Sequence, residues 1–518
     1  MSDNGSQVWE VKHMANHLYD LITSRAPSLD KPFAHLPGGR TVTYGELFAA
    51  AGRYANALVA MGVKPGDRVA VQVEKSIEKV MLVLACARAG AVFLPLNTAY
   101  TAAEVEYFLT DAEPTVFVCE PQRAGSLAPV AQKAGARLET LGTAGDGSLA
   151  EAAKAASETF ATVDRAPGDL GAILYTSGTT GRSKGAMLSH DNLASNAQTL
   201  VDYWRFTKDD VLIHALPIYH THGLFVATNV ILLAGASMHF LPKLDPDHML
   251  KLMATSTAMM GVPTFYTRLL QHPGLTREAT RTMRLFISGS APLLAETHRE
   301  WQARTGHAIL ERYGMTETNM NTSNPYDGDR IAGTVGFPLP GVSLRVADPE
   351  TGRELPQGEI GVIEVKGPNV FLGYWRMPEK TASEFRDDGY FITGDLGLID
   401  ERGYVQIVGR GKDLVITGGF NVYPKEIETE IDAIPGVIES AVIGVPHPDF
   451  GEGVTAIVVK KKDSPLTEAD ITGAIADRLA KFKQPKRIIF VDDLPRNTMG
   501  KVQKNVMRDT YKALYAKA

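Results

Sequence analysis

A two-domain α/β protein is what the sequence predicts, on three observations. Strand-length apolar runs alternate with helical patterns through the first part of the chain. The texture turns to short strands and tight turns after about Gly333, and it changes again after Gly411. At 518 residues the chain also exceeds the size at which one hydrophobic core stops growing.

Residues 43–58 (TYGELFAAAGRYANAL) repeat apolar positions at helical spacing, 68–73 (RVAVQV) alternate like a strand, 80–87 return to helix and 91–96 (AVFLPL) to strand. The rhythm recurs at 212–216, 238–241 and 285–288. Strands alternating with helices predict βαβ units around a mostly parallel sheet. VSLRVAD, GVIEVKG and YVQIVGR, separated by Gly, Pro and Asp, predict a small antiparallel β-subdomain. Beyond Gly411, a helix at 425–434, strands at 440–445 and 454–459, and a helix at 468–481 predict a compact α+β unit. The expected boundary falls at 410–413, giving domains 1–410 and 411–518. Residues 141–160, rich in Gly and Ala, are read as a surface stretch.

The hydrophobic fraction of 44% and charged fraction of 22% match an ordinary globular protein. A net charge of −6 carries no polybasic signature, so neither nucleic acid nor an anionic membrane is an expected partner. Cys86 and Cys119 lie in apolar stretches without metal-ligand spacing and are read as core residues of a reducing compartment. The first residues show no basic and apolar signal-peptide regions. The longest apolar stretch, 224–238, is interrupted by Thr228 and Asn229 and falls short of a bilayer span. A cytoplasmic location is expected.

The strongest local signal is GAILYTSGTTGRSKGAMLSH at 171–190. A short strand runs into Thr176, Ser177, Gly178, Thr179, Thr180 and Gly181, then Lys184, with Ser189 as a helix N-cap. Glycines allow close backbone approach, consecutive N–H groups form an anion nest, and hydroxyls plus Lys184 add donors and charge, which suits a polyphosphate. The Walker A spacing is absent, so this is not a P-loop NTPase.

This stretch resembles the signature of the adenylate-forming enzymes, which include acyl-CoA synthetases, luciferases and peptide-synthetase adenylation domains. Arg182-Ser183 stand where the family often has a proline. The resemblance extends over nearly the whole chain, because further motifs follow in order. It implies a large domain with a barrel-like β-subdomain, a mobile small domain, and dependence on ATP, Mg2+ and coenzyme A.

In ERYGMTET (311–318) the resemblance implies that Tyr313 packs on adenine, Thr316 meets the α-phosphate and Glu317 supports Mg2+, with Gly314 and Met315 between them. One glutamate suffices for a cation that draws most ligands from phosphate and water. The resemblance also implies that Asp395 in YFITGDL and Arg410 hold the ribose hydroxyls, which suits a carboxylate acceptor and an arginine donor. Joining a carboxylate to a thiol requires a better leaving group than oxide, so adenylation must precede thiol attack. The first transition state gathers charge on phosphate oxygens and calls for a positioned cation. Lys501 in PRNTMGKV resembles the family's catalytic lysine, with Glu317 and Thr176 completing the catalytic set. The resemblance further makes Lys412 the domain hinge and Gly418, Gly419 and Phe420 the lining of a pantetheine tunnel.

For the acid pocket, LPIYHTHGL (216–224) supplies His220 and His222, FISGSAP (286–292) supplies Ser288, Gly289 and Ser290, and Gly314 lies on the nucleotide turn; His222, Ser288 and Gly289 are taken as the contacts. GVPTFYTRLL (261–270) carries one charge, Arg268. A guanidinium in that pocket demands a second carboxylate on the substrate. That chemistry points to a short dicarboxylate, malonate or methylmalonate. GVPTFYTRLL together with ERYGMTETNMNTSNPYDG is similar to the malonyl-CoA synthetases within the family.

Other readings compete: another short- or medium-chain acid, a stand-alone adenylation enzyme loading a carrier protein, a nucleotide sensor, and a luciferase-type oxygenase, which would need a large apolar pocket. The second is disfavoured because the chain ends soon after Lys501 and the pocket segments offer no acid for an ammonium. The third is disfavoured because a sensor needs no mobile lysine. Acylation of Lys501 would remove its charge, so lysine-modifying enzymes are expected partners.

Overall fold

The computed structural model describes residues 16–176, 183–417, 420–479, 481–497 and 500–516. Parallel strands begin where the alternation predicts them. Arg68–Gln72 pairs in parallel with both Val92–Pro95 and Val116–Cys119, and their nearly unbroken burial is that of strands covered on both faces. The connecting helices start at side-chain caps. Thr43 and Glu46 form a capping box at the head of Tyr44–Ala60, and Ser76 caps Ile77–Ala89, which stops at left-handed Gly90. This seven-stranded sheet ends in an antiparallel hairpin, Leu170–Thr176 with Lys184–Ser189, and the edge strand Gly373–Tyr374.

A nine-stranded sheet carries the other half of the large domain. Its central strands Val211–His214, Ala258–Gly261, Leu285–Ser288 and Leu310–Met315 all run parallel, so their carboxyl ends share one edge. Open α/β sheets bind ligands beyond that edge. The residues following those four ends are 215–222, the helix Pro263–Leu270, 289–290 and 316–317. Chain order thus converges four separated motifs on one cleft.

Ser343–Ala347, Gly361–Lys366, Phe391–Ile399 and Val405–Arg410 form a four-stranded antiparallel sheet, in the place of the expected β-subdomain. A short 3-10 turn, Gly411–Asp413, leads to five strands and the helices Pro424–Asp432 and Glu468–Ile475. Two hydrophobic clusters built from residues between Val415 and Tyr515 form the cores of this small unit.

Two expectations are corrected. Residues 141–160 are not all surface: the helix Ser148–Ala155 buries Leu149, Ala150 and Ala153 in the main core. The helix expected over 468–481 ends at Ile475. Among the described residues, no helix is long and apolar enough to cross a membrane. Cys86 and Cys119 are both buried, as expected.

Candidate active site

Thr176 and Lys184 face each other across the hairpin, so the glycine-rich segment is the connection between two paired strands. Ser177, Gly178, Thr179, Thr180 and Gly181 lie outside the described residues, as does Arg182. Ser189 caps the next helix through a capping box with Asn192, as expected. Lys184 is buried, with its Nζ 3.4 Å from Glu384 Oε1 and 4.0 Å from the centre of the Tyr374 ring. The Tyr374 hydroxyl donates to Glu317 Oε1 at 3.0 Å, and Thr176 Oγ1 approaches the same oxygen at 3.4 Å. Burial raises the pKa of Glu317, opposed by hydrogen bonds from its own backbone N–H and from Tyr374. Among the described residues, no cluster of three or more His, Cys, Asp or Glu forms a self-sufficient metal site. The buried carboxylate of Glu317 beside Lys184 fits Mg2+ completed by phosphate and water oxygens.

Tyr313, Asp395 and Arg410 form a second group. The Tyr313 hydroxyl donates to Asp395 Oδ2 at 2.6 Å, and Arg410 Nε lies 3.3 Å from Asp395 Oδ1. The Asp395 charge holds Arg410 above its usual range. Gly314 falls at a register shift between Leu310–Met315 and Asn319–Ser323. A Cβ there would lie 1.8 Å from the Asn319 carbonyl oxygen, so only glycine fits. Met315 and Thr316 follow it, half-buried on the same turn.

Lys501 comes from the small unit and reaches both groups. Burial pulls its pKa down to about 8, helped by Arg410 and opposed by Asp395 and Glu317. Its neighbour Gly500 packs on Thr264, where a Cβ would come 3.4 Å from that side chain. Lys412 sits in the turn Gly411–Asp413, its pKa lowered by burial and by Arg410. Gly418 and Gly419 lie outside the described residues, and Phe420 is described only as the start of the strand Phe420–Val422.

The acid pocket corrects the sequence reading. Arg268 is exposed. The helix Pro263–Leu270 buries Phe265, Tyr266, Leu269 and Leu270, two i,i+4 rows that leave Thr267 and Arg268 on the solvent side. The guanidinium in the cleft is that of Arg312. It is 3% exposed, has no ion pair among the described residues, and leaves its Nε and Nη2 without a hydrogen-bond partner. Burial brings its pKa down to about 9. Gly289 lies against it, and Ser288 Oγ and His222 Nε2 are likewise buried without partners. His222 Nδ1 is 3.1 Å from Ser290 Oγ. Burial, with Arg312 and His220 nearby, pushes His222 well below its usual range, so the ring is neutral.

Buried polar groups without partners are rare, and several converging on one cleft mark a place for a ligand. The structure gathers Thr176, Lys184, Glu317, Tyr313, Gly314, Asp395, Arg410, Lys501, His222, Ser288 and Gly289, and leaves Arg268 out. Ser290, also named from FISGSAP, lies with them, and Arg312, Tyr374 and Glu384 join without having been singled out. Arg312 is the one cation in ERYGMTET, but Glu311 precedes it, and only the neighbouring strand Leu285–Ser288 shows that it faces the acid-pocket residues.

A strand hairpin carrying a buried lysine, a carboxylate held for a cation, and a second lysine delivered by a separate unit define a two-domain nucleotide-activating enzyme. The chain belongs to the AMP-binding enzymes, matching that family over residues 23–375 and the AMP-binding enzyme C-terminal domain over 426–501. It is 34% identical to a malonate–CoA ligase of Arabidopsis thaliana, over 91% of this chain and 84% of that protein. It is 36% identical to a feruloyl-CoA synthase of an Amycolatopsis species, over 91% and 94%. The ATP-bound crystal structure of MatB from Rhodopseudomonas palustris superposes with a TM-score of 0.95 at 70% identity, over 97% of this chain and all of that one.

Proposed function

We propose that this chain ligates malonate to coenzyme A through a malonyl-adenylate, releasing pyrophosphate and then AMP. The observation that carries the choice of acid is Arg312, a buried guanidinium without an ion pair among the described residues, beside Ser288 Oγ and His222 Nε2, which have no hydrogen-bond partner among them either. Relatives at similar identity are named for a small diacid and for a bulky aromatic acid, so overall identity alone does not choose between them. A buried unpaired cation is unfavourable, and a second carboxylate on the substrate removes that penalty. In the tautomer with its proton on Nε2, the neutral His222 ring accepts from Ser290 Oγ at Nδ1 and donates from Nε2 to the same carboxylate.

In the first half-reaction a substrate carboxylate oxygen attacks the α-phosphorus, and the bond to the β-phosphate oxygen breaks. Lys184 and Lys501 neutralise charge on the phosphate oxygens, and Asp395 with Arg410 holds the ribose. Glu317 would hold Mg2+, which when bound supplies further neutralisation of the triphosphate. In the second, the thiolate of coenzyme A attacks the carbonyl carbon and AMP leaves with the electron pair of the C–O bond. Lys412 serves as the hinge between the two steps. Acylating Lys501 would remove its charge and stop the first step alone.

An ATP- and CoA-dependent assay over C2–C6 mono- and dicarboxylates, methylmalonate included, tests the reading. Malonate should exceed acetate and propionate by at least about 100-fold in kcat/KM, the scale of one buried charge pair. Methylmalonate differs by one methyl, which shifts discrimination by about 1–3 kcal/mol. A preference for a monocarboxylate overturns the assignment. Lys501→Ala should lose adenylation while still converting supplied malonyl-AMP and coenzyme A to product.

A further inference from the structure

Lys501 stands on a hairpin whose backbone is closed upon itself. Asn497 N–H donates to the Lys501 carbonyl, Gly500 N–H donates to the Asn497 carbonyl, and Lys501 N–H donates to Asn497 Oδ1, each at 2.9 Å. Below them Gln503 N–H donates to the Pro495 carbonyl at 2.8 Å, and Arg496 bridges to Val502. These bonds give the hairpin its shape. They do not say where it stands relative to the domain beneath it.

Arg496 supplies that link. Its Nη1 donates to the Gly500 carbonyl at 2.8 Å, and its Nη2 pairs with Glu439 on the strand Val437–His447. One rigid guanidinium plane thus joins the carbonyl immediately before Lys501 to the sheet of the small unit, with both side chains of the pair mostly buried. Gly500 has a left-handed φ of +74° and packs on Thr264 at the acid pocket, so its peptide sits between the two domains.

We propose that Arg496, clamped by Glu439, is a positioning residue for the adenylation step, fixing the Gly500 carbonyl and hence the reach of Lys501 into the phosphate site. Arg496 touches no reacting group and acts only through Lys501. The inference rests on the assignment of Lys501 to the first half-reaction. Lysine at 496 keeps the charge but cannot hold both partners along two edges of one plane.

The test measures each half-reaction separately in Arg496→Ala, Arg496→Lys, Glu439→Gln and Lys501→Ala. Arg496→Ala should lower the adenylation kcat by about 10²-fold, the scale of a displaced catalytic group, with little change in the KM for malonate. Its conversion of supplied malonyl-AMP should match wild type, which also shows that it folds. Arg496→Lys and Glu439→Gln should fall between the two. Unchanged adenylation in Arg496→Ala, or an equal loss in both half-reactions of a variant that melts like wild type, overturns the proposal. Adenylation that survives in Lys501→Ala instead sinks the Lys501 assignment, a separate result read from a separate variant.

Discussion

Gly289 is the space into which Arg312 is packed: a Cβ on Gly289 would lie 2.5 Å from the Arg312 Cζ and Nη1 and 2.6 Å from its Nε. The glycine follows the strand Leu285–Ser288, and Ser288 pairs with Glu311 on the neighbouring strand, so the contact is set by sheet register. Gly289→Ala should therefore displace the guanidinium. Overpacking of about 1–3 kcal/mol corresponds to a rise of roughly 5- to 150-fold in the KM for malonate. The KM for ATP should stay near wild type, and steady-state kinetics with each substrate varied would read both.

Arg312→Met removes the charge and keeps most of the volume. Losing one partner of a buried ion pair is worth about 3–5 kcal/mol, so kcat/KM for malonate should fall by at least about 100-fold. The free protein should gain thermal stability, because the cation it loses is buried with two unsatisfied nitrogens. Arg268→Met, on an exposed helix face, should leave malonate kinetics within about twofold, in line with ordinary surface substitutions. A large loss at Arg268 with none at Arg312 would reverse the correction.

These two arginines show where the sequence was legible. Elements with strong periodicity stood where expected: Tyr44–Ala60, Arg68–Gln72 and Val405–Arg410 lie close to their predicted spans. Motif residues joined by hydrogen bonds, such as Tyr313 with Asp395, also met. The acid pocket was harder, because it is built by register between strands distant in sequence. Helix phase alone would have excluded Arg268, since Phe265, Tyr266, Leu269 and Leu270 already define the buried face. Finding Arg312 required knowing that Leu310–Met315 lies beside Leu285–Ser288. Tyr374 and Glu384 were invisible for the same reason: a two-residue edge strand and a helix end bring them to Lys184.

If Lys184 meets the phosphates as proposed, Glu384 should compete with ATP for it. Its Oε1 lies 3.4 Å from Lys184 Nζ and 2.5 Å from Lys380 Nζ, and its charge adds to that beside Glu317. A triphosphate must draw Lys184 from this carboxylate and must itself approach a negative group. Glu384→Gln should tighten ATP binding by roughly threefold to tenfold, a gain of about 1 kcal/mol for a partly buried pair. Calorimetric titration with ATP would measure it. Weaker binding would mean that Glu384 serves the nucleotide rather than competing with it.

On the proposed role of Lys501, its titration should set an alkaline limit on the first half-reaction. In the proposed first half-reaction the charged form meets the phosphates, and burial has brought its pKa down to about 8. The kcat/KM for ATP in adenylation reports the free enzyme and should therefore decline as pH rises through about 8. Bound triphosphate favours the cation, so the limb in kcat should lie at higher pH. The stability sign is the opposite of activity. The folded pKa lies below the unfolded value near 10.4, so the unfolded chain binds more protons between the two, and this group's penalty on folding fades as pH rises through that window. Arginine at 501 titrates well above lysine in the same place, so with malonate saturating, which holds Arg312 charged, the limb near 8 should move to higher pH in the residual adenylation of Lys501→Arg. A limb that stays near 8 in Lys501→Arg belongs to another group, and Lys501 would then not be the cation whose protonation the adenylation step requires.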